Sequence, residues 1–224
     1  IALHSLLEEI DFSSSDKVIG TVCRRYAVRL GLSQEQCDRM LVSWIRNILM
    51  TPLGCGFSLS EINGKDRISE MEFHFPFVMN TELVDLVKKR GYLANTKSDQ
   101  NIDFSGVMTG LIDLIVRFNN KYYIIDYKSN FLGNSFNNYT QVNLQKIIID
   151  HRYDLQYLIY SLALHRYLKA QITNYDYGST FGGVRYLFLR GMRGSQNNLS
   201  GVFSDLPPSE LIEELDTIMG RTIP

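Results

Sequence analysis

Cysteine, surplus charge and long apolar runs are all scarce in this sequence of 224 residues. Only three cysteines occur, Cys23, Cys37 and Cys55. Their odd number and irregular spacing exclude a full disulfide framework and a zinc ribbon. They read as small buried hydrophobes, and a reducing compartment, the cytoplasm, is expected. No uncharged apolar run nears the ~18 residues that a membrane span needs. No basic segment leads into an apolar stretch at the start, so no secretory signal is expected in these residues. Lysine and arginine number 23 against 24 acids, a net charge of −1. Nucleic-acid binders usually carry a basic excess, so any polyanion must be met by local clusters, bound cations or partners. No GxxxxGK[ST] loop occurs, which excludes ATP hydrolysis by this stretch. Internal repeats and low-complexity tracts are also absent. Ile1 leads straight into a helical pattern, and a fragment of a longer chain is expected.

What is present is an ordinary globular composition, 45% hydrophobic and 21% charged. Leu3, Leu6, Leu7 and Ile10 fall at helical spacing. Asp16 is placed to cap a second helix over about 17–30, ended by Gly31. Ser33 is placed to cap a third over about 34–50. The character then changes. Aromatic alternation over 68–77 predicts a strand, and 81–90 a short helix with a basic end, Lys88-Lys89-Arg90. The stretch 94–105 reads as a polar loop, with Lys97 beside the same basic cluster. Strands are predicted over 107–118 and 122–128, joined by Asn119-Asn120 as a hairpin. A polar loop over 130–143, a long helix over about 142–170 broken near His151, a strand over 184–189 and a helix over 209–219 follow. This order predicts an α/β fold, one central mixed sheet flanked by helices, with extra N-terminal helices.

Three charges interrupt strands that otherwise read as buried: Asp113, Asp126 and Lys128. Charge in such places is costly unless it is paired or bound to metal. Asp126 and Lys128 are two apart and share a strand face. If the hairpin turns at Asn119-Asn120, facing positions sum to about 239, which sets Asp113 near Asp126. Two close carboxylates repel and raise each other's pKa, and a hard divalent cation such as Mg²⁺ or Mn²⁺ would relieve that. The residues alone also allow a plain buried salt bridge.

The flanks narrow the choice. Gly110-Leu111-Ile112-Asp113, twelve residues, Asp126-Tyr127-Lys128, then Gln156 and Tyr160 resemble the GxxD, DYK and QxxxY motifs of the PD-(D/E)xK nucleases, in their RecB-like branch. His4 is similar to that branch's N-terminal metal-ligand histidine. The resemblance covers nearly the whole chain and is strongest over about 105–191. It implies one restriction-endonuclease-like nuclease domain over 1–224, in which residues 1–60 are helical, 66–192 form the catalytic core, and 193–224 add a C-terminal strand and helix. It implies that His4, Asp113, Asp126 and the carbonyl of Tyr127 hold Mg²⁺, with Mn²⁺ as a substitute and Ca²⁺ as an inactive one. Asp113, Asp126 and Lys128 would be catalytic, and Gln156 and Tyr160 would contact DNA or support the ligands. Glu8, Glu70 and Glu72 are further acids that could face the site. The implied function is DNA hydrolysis beside a helicase motor, with RecC-like and RecD-like subunits, in double-strand-break repair and linear-DNA degradation. Two other readings stand beside it. One is a silent nuclease-fold module for subunit docking or DNA holding. The other is an unrelated metal hydrolase, for which Lys128 and the Gln156–Tyr160 pair would be coincidences.

Overall fold

The structure is a computed structural model that describes residues 2–94, 103–194 and 199–220. Three α-helical segments come first, α1 (Ala2–Glu9), α2 (Asp16–Ala27) and α3 (Gln34–Gln36), and α3 runs through a π-turn at Cys37–Leu41 into α4 (Val42–Met50). Then come β1 (Arg67–Asn80), α5 (Thr81–Lys89), β2 (Asp103–Phe118) and β3 (Lys121–Lys128). A helical crossover, α6 (Gln141–Asp150) and α7 (Tyr153–Gln171), leads through the short α8 (Tyr177–Thr180) to β4 (Phe181–Phe188). The chain closes with β5 (Val202–Asp205) and α9 (Ser209–Gly220).

The strands form one sheet in the order β1-β2-β3-β4-β5, antiparallel except for β3 beside β4. A parallel pair needs a long crossover, which α6 and α7 provide. The sheet separates two apolar cores. Leu6, Leu7, Ile19, Ile45, Ile48, Leu114, Ile125 and Tyr127 pack on the face of α1, α2 and α4. Ile112, Ile115, Ile124, Leu158, Leu162, Tyr186 and Leu215 pack on the face of α7 and α9. This is the mixed sheet flanked by helices that the sequence predicts.

Local chemistry explains most boundaries. Ser33 caps as expected, in a reciprocal box with Gln36. Asn119 and Asn120 both adopt positive φ, 48° and 61°, the conformation a tight hairpin turn demands. Asp16 differs from expectation: Ser15 stands at the cap position, and Asp16 begins α2 and binds Arg46 on α4. Strand β2 starts at Asp103, inside the stretch read as loop, because its first half pairs with β1 rather than burying apolar side chains. The stretch 130–143 contains a short 3-10 turn at Phe136–Tyr139 and the start of α6. Lys97 lies outside the described residues.

Candidate active site

The hairpin register matches the predicted sum: Leu114 faces Ile125 and Ile115 faces Ile124. The ladder stops there. On its other side β2 pairs with β1 on both flanks of Asp113, through Leu114 with Ser69 and Ile112 with Met71. Glu70, opposite Asp113 in that register, has a positive φ of 52°, a strained conformation for a residue with a side chain. Beyond this point β2 stays with β1 while β3 stays with β4 as far as Lys128, which pairs with Phe188. The sheet therefore forks, and the side chain of Asp113 bridges the fork: its Oδ2 accepts the backbone N–H of Tyr127 at 2.8 Å.

Three polar atoms gather at the fork. The imidazole Nε2 of His4 donates to the Tyr127 carbonyl at 2.9 Å and lies 3.4 Å from Asp113 Oδ2. The hydrogen bond and charge of Asp113 raise the His4 pKa despite burial. Asp126, only 3% exposed, points to the α7 side with Lys128. The Lys128 ammonium lies 2.7 Å from Asp126 Oδ2, a buried ion pair. Desolvation pushes the Asp126 carboxyl up, Lys128 pulls it down, and Asp113 adds to the rise.

Among the described residues, no three His, Cys, Asp or Glu side chains converge as a metal cluster. His4 and Asp113 meet each other, whereas Asp126 is turned to Lys128. The donor set nevertheless fits a hard divalent cation: one imidazole, two carboxylates and a carbonyl. Two observations favour the fit. A proton on His4 Nε2 sits between the carbonyl and the Asp113 carboxylate, and the Asp126 carboxylate, which Asp113 opposes by its charge, is buried close by.

Residues 2–217 match the PD-(D/E)XK nuclease superfamily. The chain belongs to that superfamily. It is 41% identical over 221 residues to RecBCD enzyme subunit RecB of Haemophilus influenzae, covering 97% of this chain and 18% of that protein. It is 37% identical over 227 residues to RecB of Escherichia coli, covering 99% and 19%. It is 30% identical over 224 residues to RecB of Borreliella burgdorferi, covering 92% and 18%. The chain thus spans less than a fifth of these relatives' length. PD-(D/E)XK nucleases use divalent metal ions.

In this PD-(D/E)XK chain, helix α7 supplies the support for Lys128. Gln156 Oε1 accepts from Lys128 Nζ at 3.0 Å and from the Tyr186 hydroxyl at 2.9 Å. Its amide Nε2 donates to the Tyr160 hydroxyl at 2.9 Å. The Lys128 ammonium also sits over the rings of Tyr153, at 4.1 Å, and Tyr186, at 4.9 Å, which favours a cation over bare apolar walls. Tyr157, between these positions, is core. Tyr153 belongs to a helical stripe with Tyr157 and Tyr160 that reads from the sequence as core more than as a stacking platform, and Tyr186 is a functional candidate that the sequence does not single out. An aromatic in a buried strand looks like packing, and the usable signal is register: Tyr186 pairs with Asp126 across β3–β4.

The remaining acids separate. Glu8 lies near Glu70, and its pKa is raised by burial, then by Glu70 and Asp113. Glu72 is exposed beside His74. His151 stacks on Tyr153, and His165 is buried under α9. Arg90 pairs with Glu214.

Proposed function

We propose that this chain is the nuclease centre of a RecBCD-type enzyme, hydrolysing DNA phosphodiester bonds with Mg²⁺, in the manner of exodeoxyribonuclease V. The observation that supports this most is the buried Asp126–Lys128 pair at the open fork of the β2–β3 hairpin, in a chain of a nuclease superfamily. His4, Asp113, Asp126 and the Tyr127 carbonyl would hold the ion, and Mn²⁺ would replace it. When bound, the ion supplies a more acidic water and polarises the scissile phosphate.

The chain's own groups do the rest. Gln156 and two tyrosine rings hold the Lys128 ammonium beside Asp126. There it can donate to a phosphate oxygen as negative charge builds, in a pocket where such donors are strong. His4 must shed its Nε2 proton to act as a ligand, so the cation and that proton compete for one place. Water loses a proton as its oxygen bonds to phosphorus, the bond to the 3′ oxygen breaks, that oxygen takes up a proton and departs as a 3′-hydroxyl, and the attacked fragment keeps a 5′-phosphate. No covalent intermediate is required. The substrate is linear DNA, as ends or as single strands unwound by a motor on the rest of a RecB-length chain. RecC-like and RecD-like subunits would complete the assembly, which serves double-strand-break repair and degradation of linear DNA.

Incubation of the purified chain with linear single-stranded DNA, beside p-nitrophenyl phosphate, tests this reading. Cleavage of DNA to 5′-phosphate products with Mg²⁺, none with EDTA and none of the small ester is expected. No cleavage with either Mg²⁺ or Mn²⁺, and no binding of either, would leave a silent docking module. Hydrolysis of the small ester alone would indicate an unrelated hydrolase.

A further inference from the structure

Four surface depressions among the described residues carry acids in their lining. Another carries none. It is a groove of about 490 Å³ whose lining includes Arg39, Trp44, Asn47, Phe136, Arg190 and Arg193. Three guanidinium groups and two aromatic rings meet there, in a chain whose overall charge is slightly negative. Arg39 is partly offset by Glu35. Arg190 and Arg193 have no carboxylate partner among the described residues, and Arg193 Nε is buried without a hydrogen bond. Each instead lies over an exposed ring: Arg193 over Phe136, 3.2 Å from its centroid, and Arg190 over Phe131, at 5.8 Å. Phe131 is 62% exposed.

The groove lies beside the end of β3. Arg190 Nε donates to the carbonyl of Ser129, the residue after Lys128, at 3.0 Å. Trp44 is fixed by its indole N–H to the Leu189 carbonyl at 3.1 Å. We propose that this groove is a track for single-stranded DNA, which leads the strand past Phe131, Arg190, Phe136 and Arg193 to or from Lys128. Arginines without acid partners meet phosphates, and exposed rings offer faces on which unpaired bases stack without sequence preference. A duplex would leave the rings unused, since its bases are already stacked. A partner protein would have to place a carboxylate against each guanidinium group, whereas a nucleic-acid strand brings a phosphate with every nucleotide. The proposal deepens the nuclease reading, on which it rests, by naming the strand's path.

Fluorescence anisotropy with labelled oligothymidine in EDTA tests the track without cleavage. The variants are the double change Arg190→Ala with Arg193→Ala, the single change Phe136→Ala, and a charge-matched control, Lys88→Ala with Lys89→Ala. Circular dichroism and melting check that each folds. The double arginine variant should bind about ten-fold more weakly than wild type. Its slope of log K against log salt should fall by about 1.4, or about 0.7 for each phosphate no longer neutralised. Phe136→Ala should weaken binding about five-fold or more while leaving that slope unchanged. The control should bind like wild type. Equal weakening in the control and the arginine variant would reduce the effect to net charge and overturn the track. Wild-type binding by the arginine variant would do the same. The outcomes are separable from those of the cleavage assay: a chain that binds through this groove but cuts nothing loses the nuclease reading and keeps the track, and the converse loses only the track.

Discussion

Gln156 touches no proposed metal ligand, yet it holds Lys128, Tyr186 and Tyr160 at once. It is a positioning residue, and its loss frees the ammonium to swing away from the fork. Partners of this outer kind typically contribute 10–100-fold to activity. Gln156→Ala should therefore lower kcat by roughly that factor with KM little changed, as measured on single-stranded DNA. An equal fall in kcat and melting temperature would mean a merely structural role. Lys128→Ala removes the donor itself and should cost at least about 100-fold in kcat, again by steady-state cleavage. The glycines of the motifs have a different basis. A Cβ on Gly110 would lie 2.3 Å from the Phe73 ring, and one on Gly182 2.3 Å from the Tyr123 ring. Gly110 thus fits the GxxD pattern by letting Phe73 lie across β2. Gly182→Ala should destabilise by about 1–3 kcal/mol, read as a lower urea midpoint; an unchanged midpoint would show that Tyr123 moves freely.

At the scale of elements, α7 is pinned to α9 by a titratable cluster. Arg166 Nε donates to Asp216 at 2.6 Å, Lys169 lies nearby, and His165 is buried 3.9 Å from the same carboxylate. Burial lowers the His165 pKa more than Asp216 raises it. Burial also works to raise the Asp216 pKa, but Arg166, Lys169 and His165 outweigh it and leave it low. Both groups bind protons more readily when unfolded, so both add stability at higher pH and lose it in acid. The His165 contribution is complete above about 6.5 and declines as pH falls through that value. Melting temperature should drop between pH 7.5 and 5.5, and His165→Gln should flatten that drop. An unchanged slope in the variant would place the titration elsewhere. These elements are largely legible in the sequence. The hairpin follows from Asn119-Asn120 and the alternation around it, and its register follows by arithmetic. The fork is not legible, because it arises where β1 and β4 compete for β2 and β3. The first four residues of β2, 103–106, escape for a related reason: exposed on the sheet surface, they lack the apolar signal that marks a strand.

At the scale of the whole molecule, the sheet places the fork between two cores, and α1 and α7 bring His4 and Gln156 to it from opposite faces. His4 is 123 residues from the carbonyl it binds, so its place is legible only by resemblance to a family, not by any local pattern. With a net charge of −1, the chain should hold DNA weakly at physiological salt. Cleavage by the isolated chain should fall steeply as salt rises, since the few phosphate contacts must supply the affinity. A salt-insensitive rate would contradict that. The most direct test of the division of labour at the fork is calorimetric Mn²⁺ binding alongside cleavage of single-stranded DNA, for wild type, Asp126→Ala and Lys128→Ala. Asp126→Ala should lose both binding and cleavage, whereas Lys128→Ala should keep the cation and lose only cleavage. Unaltered Mn²⁺ affinity in Asp126→Ala, or full cleavage by Lys128→Ala, would contradict the assignment of these residues.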